Sequence, residues 1–237
     1  MKPQHPQKIA FIGNDQGGAV YINSALPSLS ALYNIMTIAS GPAFKLWSKL
    51  NIPSVCLNEF DTKELEVTLS TFSPNLVVTG TSHYCELERI SWGIANKLRV
   101  PSLAIIDSWT NLEERFIRLT DQTMVFPSAI SIIDSTLIET IKKLLGVNFR
   151  IHITGHPHLE GVVKQKKIKK ISNPDSGVKI VSFFSNPIPN KYADSKSYRD
   201  QFDVVEALLS ACISFPFPIE LVIKPHPREE KKRWSFW

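Results

Sequence analysis

Cysteine is scarce in this chain: Cys56, Cys85 and Cys212 lie far apart and form no Cys-x-x-Cys pair. Neither a disulfide framework nor a thiolate zinc site is indicated. Each sits in or beside an apolar segment, where a free thiol behaves as a small hydrophobe. The opening MKPQHPQ has no apolar core of the kind a secretory signal needs. Charge is missing altogether from residues 16–44, but Asn23, Pro27, Asn34 and Pro42 interrupt that stretch. No unbroken run of about 20 apolar residues exists, so a membrane span is not expected. Basic charge spread along a groove with aromatic partners is also lacking. The net charge of +5 is matched by five lysines in the single stretch KQKKIKK, residues 164–170. A local lysine run reads as a solvated linker, and no nucleic-acid partner is expected. The expectation is a soluble, reduced, cytoplasmic protein.

What is present is an alternation. Seven short apolar runs, KIAFIG (8–13), NIMTIAS (34–40), SVCLNEF (54–60), NLVVTGTS (75–82), PSLAIIDS (101–108), QTMVFPS (122–128) and FRIHITG (149–155), read as strands. Several are apolar throughout rather than alternating, as strands covered on both faces are. Helical patterns fill gaps between them: residues 86–98 carry an apolar stripe at Leu87, Ile90, Ile94 and Leu98. Either Thr81 or Ser82 is placed to cap that helix, with Glu86 and Glu88 at its positive end. A second helix is expected over 136–145, with capping-box spacing at Thr136 and Glu139. This order predicts a doubly wound, Rossmann-like α/β domain over residues 1–157. A polar, lysine-rich linker is expected over 158–177. The alternation then restarts over 178–237, with strand VKIVSFFS, a helix over 200–212 and strand IELVI. At about 60 residues this is a partial second α/β domain.

Candidate functional residues follow the strand ends, where open α/β sheets bind ligands. GNDQGGAVY (13–21) matches neither G-x-G-x-x-G nor a P-loop. It is either a tight turn or a ligand-lining loop in which Gly17 and Gly18 present amides and Asp15 meets sugar hydroxyls. After the fourth strand, Thr81 and Ser82 either cradle an anion or cap the helix, and Glu88 serves either as a general base or for the helix dipole. After the fifth, Asp107 and Trp109 either touch a ligand or cap a turn and plug an apolar gap. In IKPHPRE (223–229), Lys224, His226 and Arg228 stand at the corner after the last strand. His152, His156 and His158 lie in HITGHPH, but Gly155 and Pro157 break the strand and no carboxylate completes a ligand set. No metal and no cofactor are expected.

Two motifs carry a resemblance. ITGHP (153–157) looks like the T-G-N-P segment at the interdomain crossing of GT-B fold glycosyltransferases and UDP-N-acetylglucosamine 2-epimerase-like proteins, with His156 in place of asparagine. IKPHPRE is similar to the K-x-H-P segment of bacterial capsule enzymes and sialyltransferases, and residues 80–116 resemble the first domain of polysaccharide-biosynthesis proteins of this kind. The resemblance implies a cytoplasmic glycosyltransferase, peripheral at the membrane's inner face, that takes sugar from a UDP-, CMP- or CDP-linked donor to a glycan or lipid-linked acceptor in polysaccharide synthesis. The alternatives are a nucleotide-sugar 2-epimerase and a non-catalytic nucleotide- or sugar-binding partner. Under it His226, Lys224 and Arg228 meet the donor phosphate, where cations offset developing charge. The catalytic base is one of Asp15, Glu88 and Asp107, and the acidic D/E-D/E-G motif of some sialyltransferases is missing. A second domain of this kind continues well past the last strand, so the end at Trp237 is read as cutting it short. That leaves residues 219–223 as an exposed edge open to self-association, and a basic, aromatic tail suited to a membrane surface.

Overall fold

The apolar runs of the first part of the chain are apolar because both of their faces are covered. In the computed structural model, β1 (Lys8–Gly13) turns Ile9 and Phe11 to one side and Ala10 and Ile12 to the other. The first pair packs with Ala19, Ile22 and Leu26 of α1 (Gln16–Ser30) and with Ala43 and Trp47 of α2 (Gly41–Lys49). The second packs with Leu65 and Leu69 of α3 (Thr62–Phe72) and with Leu87 and Ile94 of α4 (Leu87–Lys97). The structure describes residues 6–58, 61–145, 150–165, 177–187, 200–226 and 229–235. The chain divides into two units, residues 1–167 and 168–237.

In the first unit, β1 is joined by β2 (Asn34–Ala39), β3 (Val55–Cys56), β4 (Leu76–Thr79), β5 (Ser102–Ile105), β6 (Ala129–Ile132) and β7 (Arg150–Ile153). They form one parallel sheet in the order β3-β2-β1-β4-β5-β6-β7. The order reverses between β1 and β4, and that switch point opens a crevice beyond the strands' carboxyl ends. Helices α5 (Leu137–Leu145) and α6 (Pro157–Gln165) complete the unit.

Three expectations are corrected. The sixth strand is Ala129–Ile132, not residues 122–128. Pro127 lacks the N–H a central strand must donate, whereas Ile130 and Ile132 are fully buried. Met124 instead makes one antiparallel bridge to Ile117. Neither Thr81 nor Ser82 caps α4; Glu86 holds the N-cap position without a side-chain cap bond. The segment expected as a linker from residue 158 begins as α6, with Pro157 at its start, where a missing N–H costs nothing. Residues 166–176 lie outside the described residues.

The second unit pairs β8 (Lys179–Phe184) with β9 (Ile219–Lys224) in parallel, joined through α7 (Gln201–Ile213). Asp200 caps α7 by accepting the N–H groups of Phe202 and Asp203. The other side of β9 has no strand partner among the described residues. The tail was expected to suit a membrane surface. Lys231–Trp234 forms a 3-10 turn, and Trp234 is buried 4.7 Å from the ring of Phe202, with Arg233 over the same ring. That indole is therefore not offered to a membrane. Among the described residues no helix is long and apolar enough to cross one.

Trp47 is fully buried, and its indole N–H reaches the carbonyl of Ala19 at 3.2 Å. Trp47→Ala is expected to lower stability by about 3–5 kcal/mol through the cavity and the orphaned carbonyl. Urea unfolding followed by circular dichroism measures it, and a loss under 1 kcal/mol (a small fraction of the usual aromatic truncation cost) would contradict this packing.

Candidate functional site

Three acidic side chains named from sequence, Asp15, Glu88 and Asp107, meet at the switch point. Asp15 follows β1 and caps α1, its Oδ1 accepting the Gly18 N–H at 2.8 Å. Asp107 follows β5, and a Cβ placed on Gly17 would lie 2.0 Å from its Oδ2 and 3.9 Å from Oδ1 of Asp15. Both carboxylates therefore crowd one spot over the first turn of α1, and only a residue without a side chain leaves them room. Gly18 packs backbone to backbone on Gly80, where a Cβ would stand 3.0 Å from the Gly80 Cα. Glu88 enters from α4: its Oε1 accepts the Asn14 N–H at 3.1 Å and lies 3.1 Å from where a Gly80 Cβ would be.

Burial raises the pKa of Glu88 well above its ordinary 4.5, and the neighbouring charge of Asp15 raises it further. Asp15 is itself raised, first by burial and then by Asp107, against the opposing pull of the Gly18 N–H and of Arg115. Arg115 is buried and pairs with Asp107, Nη1 to Oδ1 at 2.8 Å. The same Nη1 donates to Oγ1 of Thr81 at 2.6 Å and to its carbonyl at 3.2 Å. Thr81 in turn donates to the carbonyl of Ile105. Ser82 donates to Oδ1 of Asn14 at 3.4 Å, and Asn14 donates to Oγ of Ser40. Thr81 and Ser82 are thus buried supports of the carboxyl cluster. Trp109 does not plug an apolar gap: it is 49% exposed, and its indole N–H donates to Oδ2 of Asp134 at 3.0 Å.

The TGHP segment arrives at the same sheet edge from β7. Tyr21 of α1 bonds Oγ1 of Thr154 at 2.6 Å and donates to the carbonyl of Gly155. Its ring lies 5.1 Å from that of half-buried His156. Burial lowers the pKa of His156, and the charge of Asp107 opposes that shift. At neutral pH the imidazole is therefore uncharged beside the acids. Asn14, Arg115 and His156 were not singled out for this site by the sequence. Arg115 stands within residues 80–116, but its eight-residue reach back to Asp107 has no periodic signal. Among the described residues, no group of three or more His, Cys, Asp or Glu side chains is arranged to hold a metal ion.

In the second unit the parallel pairing of β8 and β9 brings Ser185 to the end of β9, where its N–H donates to the Lys224 carbonyl. Glu229 braces the chain just after β9, one carboxylate oxygen accepting the His226 N–H and the other the Ser185 hydroxyl at 2.8 Å. His226 is half-buried, and Lys224 is exposed with its ammonium 5.7 Å over the Phe184 ring. Arg228 lies outside the described residues.

No protein-family model matches the sequence, and no curated protein does. Solved structures do. UDP-GlcNAc 2-epimerase of Methanocaldococcus jannaschii, in complex with UDP-GlcNAc and UDP, superposes at a TM-score of 0.62 with 14% identity. That match covers 97% of this chain and 69% of that one. MnaA of S. aureus, solved with UDP, matches at 0.67 with 10% identity over 96% of this chain and 64% of that one. MurG of Acinetobacter baumannii matches at 0.50 with 11% identity over 96% and 68%. The fold is shared with these solved structures. At these identities the likeness is one of fold, and the chain spans about two thirds of each matched protein.

The raised pKa of Glu88 makes stability depend on pH in a defined direction. The folded protein keeps a proton that the unfolded chain has released above 4.5. Stability is therefore flat below that value and falls as pH rises through the folded midpoint, by about 1.4 kcal/mol per unit of separation. Glu88→Gln removes this dependence, so its stability relative to the native protein should climb as pH rises from 4.5 and be least favourable below it. Chemical denaturation at pH 4 to 9 (a range spanning ordinary and raised carboxyl values) measures the difference. A pH-independent difference would contradict the burial of that charge.

Proposed function

We propose that this chain is a nucleotide-sugar enzyme of GT-B type, in which the carboxyl cluster of the first unit moves a proton on the sugar and the Pro-His-Pro corner of the second meets the donor phosphate. The observation that carries this reading is the cluster itself. Two carboxyls with raised pKa values, Asp15 and Glu88, stand at the switch point beside a third, Asp107, that is paired with Arg115. A carboxyl shifted toward neutrality is matched to general acid–base work at physiological pH. Buried structural carboxylates are instead usually neutralised by a partner, and Glu88 is given one backbone N–H while its Oε2 has no hydrogen-bond partner.

Within that reading, inversion of a sugar carbon is favoured over glycosyl transfer. Inversion at C2 takes a proton from carbon while the C1–O bond to the nucleotide breaks and the C–H electron pair forms a C1–C2 double bond. A proton returned to the other face as the nucleotide re-adds restores the sugar, which uses two acid–base groups, whereas transfer to a hydroxyl uses one base. The UDP-GlcNAc 2-epimerase of Methanocaldococcus jannaschii also superposes more closely than MurG, at 0.62 against 0.50. Glycosyl transfer to a glycan or lipid-linked acceptor is the second reading, and binding without chemistry the third.

The readings separate in one experiment. With UDP-GlcNAc in D2O, inversion at a C–H centre places deuterium on that carbon, and proton NMR follows the loss of its signal. Gly17→Ala, which pushes Asp107 off its seat while leaving the backbone of α1 intact, is expected to slow exchange by at least tenfold, the scale of a misplaced catalytic group. Donor hydrolysis or transfer without exchange would overturn the inversion reading. A separate calorimetric titration with UDP-, CMP- and CDP-sugars tests the phosphate contact. His226→Ala is expected to raise the dissociation constant of the preferred nucleotide roughly tenfold, as loss of a charge-assisted contact does. A folded protein that binds none of these nucleotides would sink the proposed function as a whole.

A further inference from the structure

A second cavity in the first unit lies away from the carboxyl cluster, on the outer side of α4. Its volume is about 300 Å³, and it is lined by Glu86, Arg89, Gly93, Lys97, Arg118 and Val125, with Ile90 and Ile94 as apolar floor. The far wall is the hairpin of residues 116–125, held by the Arg118 N–H to the Thr123 carbonyl and the Val125 N–H to the Phe116 carbonyl.

Three observations set it apart from a packing defect. Glu86 is 1% exposed, and although one carboxylate oxygen accepts the Leu119 N–H, Oε2 has no hydrogen-bond partner. Nε of buried Arg89 is also unsatisfied, 3.5 Å from Oε1 of Glu86 and outside hydrogen-bonding geometry. Buried polar atoms are nearly always partnered, so an unmet acceptor and an unmet donor in one cavity point to an occupant offering both. Gly93 is the third observation. A glycine inside a helix costs about 1 kcal/mol against alanine, and packing does not demand this one, because a Cβ there would meet nothing within 4 Å. Its missing side chain keeps the cavity open.

The lining charges are Glu86 against Arg89, Lys97 and Arg118. Lys97 and Arg118 stand at the mouth, and their surface pairings with Glu66 at 3.7 Å and Asp121 at 3.6 Å are exposed and weak. Nε of Arg118 also faces Oε2 of Glu86 at 4.0 Å, an ion pair too long for a hydrogen bond. We infer that this cavity is a second ligand site for a hydroxyl-bearing organic phosphate of hexose-phosphate size. A hydroxyl donates to Glu86, the phosphate lies between Lys97 and Arg118, and the sugar's carbon face rests on Ile90 and Ile94. The inference does not depend on the chemistry proposed for the carboxyl cluster. It does connect to it physically, because Arg89 also donates to the carbonyls of Ser82, His83, Cys85, Glu114 and Arg115, which belong to the loops that carry the cluster.

Calorimetric titration with glucose 1-phosphate and glucose 6-phosphate, with inorganic phosphate and glucose as separate arms, tests the site. One of the sugar phosphates is expected to bind with one-to-one stoichiometry, at least tenfold tighter than either fragment. Arg118→Ala, a change at an exposed side chain, is expected to weaken it about fivefold or more. Gly93→Leu fills the cavity with a better helix former, so it is expected to fold at least as stably and to abolish binding. Amide hydrogen exchange with the ligand bound should slow at residues 82–85 and 113–116. No binding of either sugar phosphate, or binding that survives Gly93→Leu, overturns the inference. Phosphate alone binding as tightly as the sugar phosphates overturns the ligand class, since no hydroxyl would then be needed.

Discussion

The ion pair between Asp107 and Arg115 is the interaction on which the first unit's site depends. Bringing both charges out of water is costly, and the cost is met only when further hydrogen bonds satisfy the remaining atoms. Here the guanidinium also reaches the Thr81 hydroxyl and the carbonyls of Thr81 and Thr110, while the carboxylate's second oxygen lies against Gly17. One pair thereby ties the loop after β5 to the end of β4 and presses it on the start of α1. Its electrostatic consequence passes onward: burial raises Asp15 and Asp107 adds to that, and burial raises Glu88 with Asp15 adding to it. Removal of Arg115 would leave the Asp107 carboxyl without its counter-ion beside two other carboxyls.

Arg89 plays the complementary part. It directs its guanidinium to five backbone carbonyls of two loops, so segments without regular structure are tied to one another through α4. A site presented on such loops keeps its geometry before any ligand arrives. The second unit achieves the same with a carboxylate: Glu229 spans from Ser185 after β8 to His226 after β9 and fixes the corner that the two parallel strands bring together.

The doubly wound sheet was legible because its strands are short apolar runs and their order alternates with helices. The one misplaced strand shows the limit of that signal. QTMVFPS and AISI each carry three apolar side chains, and Pro127 and the pairing of Ala129 with Leu103 decide between them. Helix α1 was illegible as a helix because it has no charged residue and carries Pro27 inside it. Asp15, Glu88 and Asp107 were legible singly, as acids at strand ends or in a first turn, since topology places all such positions on one edge. Their partners were not. Arg115, Arg89 and Asn14 act through distances set by loop conformation, which leaves no period in the sequence. The same holds for Gly17, whose need for a bare Cα arises from an oxygen of Asp107, ninety residues away in the chain.

The most direct test of the cluster as a proton-handling site follows the carboxyl carbons of Asp15 and Glu88 by 13C NMR as a function of pH, with and without UDP-GlcNAc. The account predicts midpoints above the ordinary 3.8 and 4.5, with Glu88 strongly raised, and a further shift of both when the nucleotide sugar binds. Ordinary midpoints that the nucleotide sugar leaves unmoved would contradict it.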